Sequence, residues 1–329
     1  VNIVVTGSIA TDHLMTFPGK FADSIVADKL DRISLSFLVD QLEVRRGGVA
    51  PNICFGMAAL GFTPVLVGAV GPDFADYRSW LERHGVDTDS VHVSQVHQTA
   101  RFICTTDDDA NQLASFYAGA MSEARDIELD PVVARIGGVD LVVIGANDPD
   151  GMLRHTDECR ARGFAFAADP SQQLARMEGA EIRRLIDGAA YLFTNEYEAA
   201  LTEQKTGWSA AEIADRVQCR VTTLGAQGAR IERAGEAPVK VECLAESSVV
   251  DPTGVGDAFR AGFLAGLGLG LTDERCAQLG SLLATLVIET VGTQEYQVSD
   301  ADIHHRLTAA YGAEPAAEIT SRLSLRPSA

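Results

Sequence analysis

Residues 251–257 read Asp-Pro-Thr-Gly-Val-Gly-Asp and run into a helix-forming stretch of small side chains, Ala258 to Gly266. Gly254 and Gly256 let the backbone turn tightly enough for its amides to converge on an anion. A helix starting there adds the positive end of its dipole at the same point. Asp257 stands at that start, where a carboxylate is electrostatically out of place unless it handles a proton. Phosphoryl transfer wants this combination: amides hold the migrating group and a carboxylate orients the attacking hydroxyl. Asp is also a favoured helix cap, so the stretch alone supports both readings.

Four further groups of residues sit where chemistry is expected. Asp12, in Gly7-Ser8-Ile9-Ala10-Thr11-Asp12, follows the first apolar run and can accept two hydrogen bonds from a vicinal diol, or be a simple turn residue. Gly47-Gly48 leads into a helix with Pro51 and Asn52, as a close backbone approach to a ligand or as a hinge. Asn195 and Glu198 are three apart, a spacing for oxygen ligands of Mg²⁺ on one helix face and equally for a helix capping pair. Thr223, Gly225 and Gly228 offer a hydroxyl and amides to a nucleotide phosphate, or form an ordinary β-turn.

A fifth signal comes from residues 99–117, which read as a hairpin centred on Asp109. Phe102 lies seven residues before that centre and Phe116 seven after it, so a symmetric hairpin makes them cross-strand partners on one face. Such a pair can be plain packing. Over a ligand it can hold a flat base, and stacking is worth about 1–3 kcal/mol per base.

The elements that must position these residues alternate. Apolar runs at 1–6, 65–70, 140–145, 165–169, 191–194 and 220–224 predict buried parallel strands, with helices between them at 51–60, 74–84 and 180–186. This predicts an α/β fold, a doubly wound Rossmann-like sheet with functional residues beyond the carboxyl ends of the strands. Period-two character at 33–39 and 42–44, with the 99–117 hairpin, predicts a separate small β-sheet lid made of 13–46 and 99–117. The large unit is then 1–12, 47–98 and 118–329. After Tyr311 the Ala/Ser-rich chain is expected to fray.

Composition narrows the partners. The chain of 329 residues carries a net charge of −19, the wrong sign for a nucleic-acid surface. No apolar run is long enough to span a membrane, and the first residues lack the pattern of a signal peptide. The six cysteines are scattered without a C-x-x-C pair, which argues for reduced thiols in a cytoplasmic setting and against zinc.

Taken in order, these motifs give the chain its resemblance. Gly7-Ser8 with Asp12, Gly47-Gly48 with Asn52, Gly71-Pro72-Asp73, Asn195-x-x-Glu198, Thr223-x-Gly225-x-x-Gly228 and Gly254-x-Gly256-Asp257 resemble the ribokinase-like (PfkB-type) sugar and nucleoside kinases. Within them the chain looks like a bacterial adenosine kinase, with Phe102 and Phe116 matching that type's base-sandwiching rings. The resemblance implies a ribokinase-like fold, ATP and Mg²⁺, 5′-phosphorylation of adenosine in purine salvage, and a homodimer formed through the lid.

The resemblance also assigns roles. Asp12, Asn52 and Gly48 hold the ribose, with Ser8 and Ser36 nearby. Phe102 and Phe116 stack the adenine, and Gln172 and Gln173 read its edge. Asn195 and Glu198 orient Mg²⁺, while Thr223, Gly225 and Gly228 bind the ATP phosphates. Gly254, Val255 and Gly256 form the anion hole, and Asp257 is the catalytic carboxylate. Pro252 and Val255 depart from the commoner family wording, which leaves open a monovalent cation beside that loop. The alternatives are a kinase of free sugars and, from another class, an inactive nucleoside- or ATP-binding protein. An NAD-linked dehydrogenase is disfavoured, because the first strand lacks Gly-x-Gly-x-x-Gly.

Overall fold

The computed structural model describes residues 1–24 and 34–325. The main sheet has eight strands, in spatial order β14 (Val239–Val241), β13 (Ala229–Glu232), β12 (Arg220–Thr223), β11 (Tyr191–Asn195), β10 (Phe166–Ala168), β9 (Leu141–Ile144), β1 (Ile3–Thr6) and β4 (Val65–Val67). From β12 to β4 the neighbours are parallel, whereas β13 and β14 close one edge antiparallel.

Each parallel strand is apolar throughout because both of its faces are covered. In β1, Ile3 and Val5 enter the core on one side and Val4 the core on the other. The first side is packed by α2 (Val49–Ala59), α3 (Ala75–Arg83), α9 (Val255–Gly268), α10 (Asp273–Ile288), α11 (Asp300–Tyr311) and α12 (Ala313–Thr320). The second is packed by α4 (Leu129–Ile136), α5 (Pro149–Arg162), α6 (Gly179–Ile186), α7 (Glu196–Thr206) and α8 (Ala210–Ala214).

A second sheet has four strands in the order β3 (Gln41–Gly47), β2 (Ala10–Thr16), β7 (Ala100–Thr106) and β8 (Gln112–Tyr117). Its register sets Arg45, Asp12, Phe102 and Phe116 in one cross-strand row, and therefore on one face. The expected pairing of Phe102 with Phe116 is observed.

Four expectations are corrected. The run 65–70 is not one strand: the chain bends at Gly68, and β5 (Ala69–Val70) leaves to pair with β6 (His92–Val93). The small sheet takes in Ala10–Asp12 and Gly47, which the expected boundaries left with the large unit. Residues 34–39 form no strand, and Phe37 packs instead on Phe17 and on Phe21 of the short helix α1 (Phe21–Ser24); residue 33 lies outside the described residues. The chain beyond Tyr311 does not fray at once, since α12 buries Ala316 and Ile319 completely, three residues apart on one helix face.

Ile319→Ala should therefore cost about 2–5 kcal/mol in urea-induced unfolding. A frayed tail would show no loss.

Candidate active site

The loop before α9 is shaped by Asp251. Its Oδ1 accepts from the Thr253 amide at 2.9 Å, and its Oδ2 accepts from the Gly292 amide at 3.2 Å and from Arg45 Nη1 at 3.0 Å. Burial alone would raise this carboxyl, but the hydrogen bonds from Thr253 and Gly292 and the nearby Arg45 charge win and hold it below the usual range. Gly254 follows as the residue before the helix, with φ +76°. A Cβ there would come within 2.7 Å of Thr293 Cγ2, so the turn needs glycine twice over.

The first helical bond runs from Ala258 N to Gly254 O at 2.9 Å. The amides of Val255, Gly256 and Asp257 therefore precede the hydrogen-bond ladder and are available to an anion.

Asp257 is enclosed by protein on one side and opens on a cavity. Asn52 Nδ2 donates to its Oδ2 at 2.8 Å. Desolvation raises its pKa to about 7, Asn52 and Arg260 work against that rise, and Asp169 and Glu198 add to it. One turn along α9, the buried Arg260 donates to Gly256 O at 3.0 Å and to Asp169 Oδ1 at 2.7 Å. Asp169 directly follows β10, so this ion pair ties the helix start to the loop after that strand.

Two cavities of about 290 and 300 Å³ meet at this loop. The first is lined by Ser8, Asp12, Gly48, Asn52, Phe116, Gln172, Gln173, Gly254 and Asp257, which draws nine expected residues from across the chain into one space. Gly48 has φ +98°, and a Cβ on it would lie 2.5 Å from Ser8 O. Burial raises the Asp12 carboxyl to about 6, opposed by Arg45 and aided by Asp251. The second cavity is lined by Thr223, Gly225 and Gly228 and by Val255 and Gly256. The loops follow the strand order: Asp12 lies beyond β1, Gln172 and Gln173 beyond β10, and Thr223 at the end of β12, as the switch-point rule requires.

Four expected residues behave differently. Ser36 is exposed and lines neither cavity, because its segment is not a strand. Phe102 opens on an adjoining cavity with Asp12, Arg45 and Asp251, so the two paired rings do not enclose one space. Asn195 and Glu198 form a reciprocal cap: Asn195 Oδ1 accepts from Glu198 N at 2.7 Å and Glu198 Oε2 from Asn195 N at 2.8 Å. Their oxygens are the hard donors Mg²⁺ favours, and with the capping atoms engaged they fit it through water. The negative charge of Glu198 reaches Asp257.

Sequence reasoning missed Arg176, Thr253 and Thr293, which also line the first cavity. Arg176 is the one cation among the described residues lining it.

Fold and site together define a ribokinase-like kinase: the free amides at the start of α9 stand between two cavities, with a carboxylate facing one of them. The model of the pfkB family carbohydrate kinases matches residues 12–300, and the chain belongs to that family. It is 29% identical to a nucleoside kinase of Methanothermobacter thermautotrophicus over 88% of this chain and 93% of that one. Nucleoside kinase of Burkholderia thailandensis solved with inosine superposes with a TM-score of 0.82 at 34% identity, covering 94% of this chain and 99% of that one. Its ligand-free form gives 0.84 at 36% identity, covering 93% and 99%.

Asp257→Asn should lower kcat about a hundredfold or more, with a much smaller change in acceptor KM, in steady-state assays. With Asp257 as proton acceptor the ionised carboxylate would be the competent form, and wild-type kcat should fall as pH drops below about 7.

Proposed function

We propose that the chain transfers the γ-phosphoryl group of ATP to the 5′-hydroxyl of a purine nucleoside, with adenosine, giving AMP and ADP, as the acceptor the resemblance implies. One observation carries this reading: the start of α9 stands between two cavities, Asp257 facing the one with the diol-type carboxylate Asp12 and an aromatic ring, Val255 and Gly256 facing the one with a glycine-lined turn. The names of similar proteins support a nucleoside acceptor, and one of them is solved with inosine.

In this mechanism Asp12 and the Gly48 backbone hold the ribose hydroxyls, Asn52 keeps Asp257 oriented, and Ser8 shapes the floor. Phe116 covers the base while Gln172 and Gln173 meet its edge. Phe102, in the same sheet row, joins Phe116 on the base when the small sheet moves over the acceptor. Asp257 aligns the 5′-hydroxyl and collects its proton as the O–P bond forms. A free carboxylate is too weak to remove that proton beforehand, so transfer comes late. Gly254, Val255 and Gly256 steady the phosphoryl oxygens, and Thr223, Gly225 and Gly228 hold the remaining phosphates. Asn195 and Glu198 would hold Mg²⁺ through water, and the ion would neutralise phosphate charge when bound.

The outer face of the small sheet exposes Leu42, Val44 and Leu113, which supports a homodimer through that face. Val44→Glu should then halve the mass seen by sedimentation velocity.

A second reading, a kinase of a free sugar, draws on the separation of Phe102 from the cavity that Phe116 lines. ADP release from Mg-ATP with a panel of nucleosides and sugars separates the two. Nucleosides should be turned over, and Phe116→Ala should cut kcat/KM for adenosine about tenfold or more, as loss of a stacked base predicts. Equal use of ribose, untouched by that substitution, would favour the sugar.

A further inference from the structure

Behind Asp257 lies a chain of buried polar groups that reaches the first cavity at Asn52, Thr293 and Gly47. Asn52 is 6% exposed, and its Oδ1 accepts two hydrogen bonds, from Thr293 Oγ1 at 2.9 Å and from Gln294 Nε2 at 3.0 Å. Gln294, 1% exposed, also donates from Nε2 to the Tyr77 hydroxyl at 2.6 Å and accepts from Trp80 Nε1 at 3.1 Å. Tyr77 in turn donates to Gly47 O at 3.0 Å. The Thr293 hydroxyl lies 3.1 Å from Arg46 O as well, so its single proton is shared between Arg46 and Asn52.

Two consequences follow from donor and acceptor identity. An amide can turn end for end, and only its neighbours decide which end points where. With two donors aimed at Oδ1, the Asn52 Nδ2 must face Asp257; the flipped amide would set a carbonyl against a carboxylate and turn its NH2 group on the Gln294 NH2 group. Secondly, the far end of the chain is the backbone of Arg46 and Gly47, the last two residues of β3, which pair with Thr11 and Ala10 beside Asp12. One buried network therefore holds both the carboxylate of the proposed transfer step and the strand next to the acceptor-holding one. Apolar side chains would fill this space without burying so many polar atoms.

We propose that Thr293 and Gln294 are positioning residues for phosphoryl transfer: they lock the Asn52 amide so that it donates to Asp257, and they anchor that lock on the end of β3. The inference rests on the reading of Asp257 as proton acceptor.

The charged and titratable groups around Asp257 are Arg260 on its own helix, Asp169 after β10, Glu198 on α7, Tyr296, and Asp12 across the cavity. None of them changes when Thr293 loses its hydroxyl. The Asn52 bond pulls the Asp257 pKa down. Loosening it lets that pKa rise, so the acid limb of kcat should move to higher pH.

The test compares Thr293→Val, which replaces the hydroxyl by a methyl of similar size, with Thr293→Ser, which keeps it, and with Asp257→Asn. Thr293→Val should lower kcat about tenfold with acceptor KM changed less than about twofold, and should displace the acid limb upward. Thr293→Ser should restore both kcat and the limb. If Thr293→Val does not fold, Gln294→Leu is read by the same criteria. The proposal falls if folded Thr293→Val keeps wild-type kcat and pH profile, or if Thr293→Ser is equally impaired, which would mean that volume and not the hydroxyl matters. Asp257→Asn separates the layers. Near-normal turnover in it removes the underlying reading and this one together; an inactive Asp257→Asn beside an indifferent Thr293→Val removes the network alone.

Discussion

The close approach of three helices fixes everything else in this protein. α9 lies so near α2 and α10 that a Cβ at Gly56 would sit 2.6 Å from Ala261 Cβ, and one at Gly262 would sit 2.5 Å from Leu279 O. Larger side chains that normally keep helices apart are missing there: Gly262 meets the backbone of α10, and Gly56 meets the Ala261 methyl. Such contacts leave no soft side chain to absorb a shift. The N-terminus of α9 is therefore held rigidly, and with it the free amides and Asp257. A helix end proposed to receive a phosphoryl group has to be placed to within a fraction of an ångström. The small-residue composition of residues 258–266 is the means.

Around that fixed point the site is assembled from loops secured by charge. Asp251 ties the loop to Arg45 of the small sheet, and Asp169 with Arg260 ties the helix start to the loop carrying Gln172 and Gln173. Asp169 neutralises the buried Arg260, and Asp251 shares Arg45 with Glu43, near a site already holding Asp12 and Asp257. Two acidic groups with raised pKa values, at about 6 and about 7, then face one cavity. An arginine opposes the rise at each, Arg45 at Asp12 and Arg260 at Asp257, and Asp257 is the more deeply enclosed.

Much of this was legible in the sequence because it is local. A strand buried on both faces writes a continuous apolar run, a loop at its carboxyl end writes glycines, and a symmetric hairpin writes the spacing of Phe102 and Phe116. The misreadings have physical causes. Residues 34–39 alternate like a strand, but Phe37 is used in an aromatic cluster with Phe17 and Phe21. The segment after Tyr311 looked featureless, although Ala316 and Ile319 are a helical face. Asn195 and Glu198 proved to cap each other, the plainer of two readings that the spacing allowed. Thr293, Gln294 and Arg260 were invisible because their partners lie far away in sequence, Asn52 and Thr293 being 241 residues apart, and no short pattern records such a contact.

The cavity assigned to the phosphoryl donor has a further property. Among the described residues that line it none is Lys or Arg, and Glu246 is one of them, on a chain of net charge −19. A nucleotide triphosphate thus approaches against the long-range field and is held only by short-range amides and whatever counter-ion it brings. Dissolved salt screens a repulsion here instead of an attraction. The rate of nucleotide association should accordingly rise with ionic strength, the opposite of what a basic nucleotide-binding surface would give.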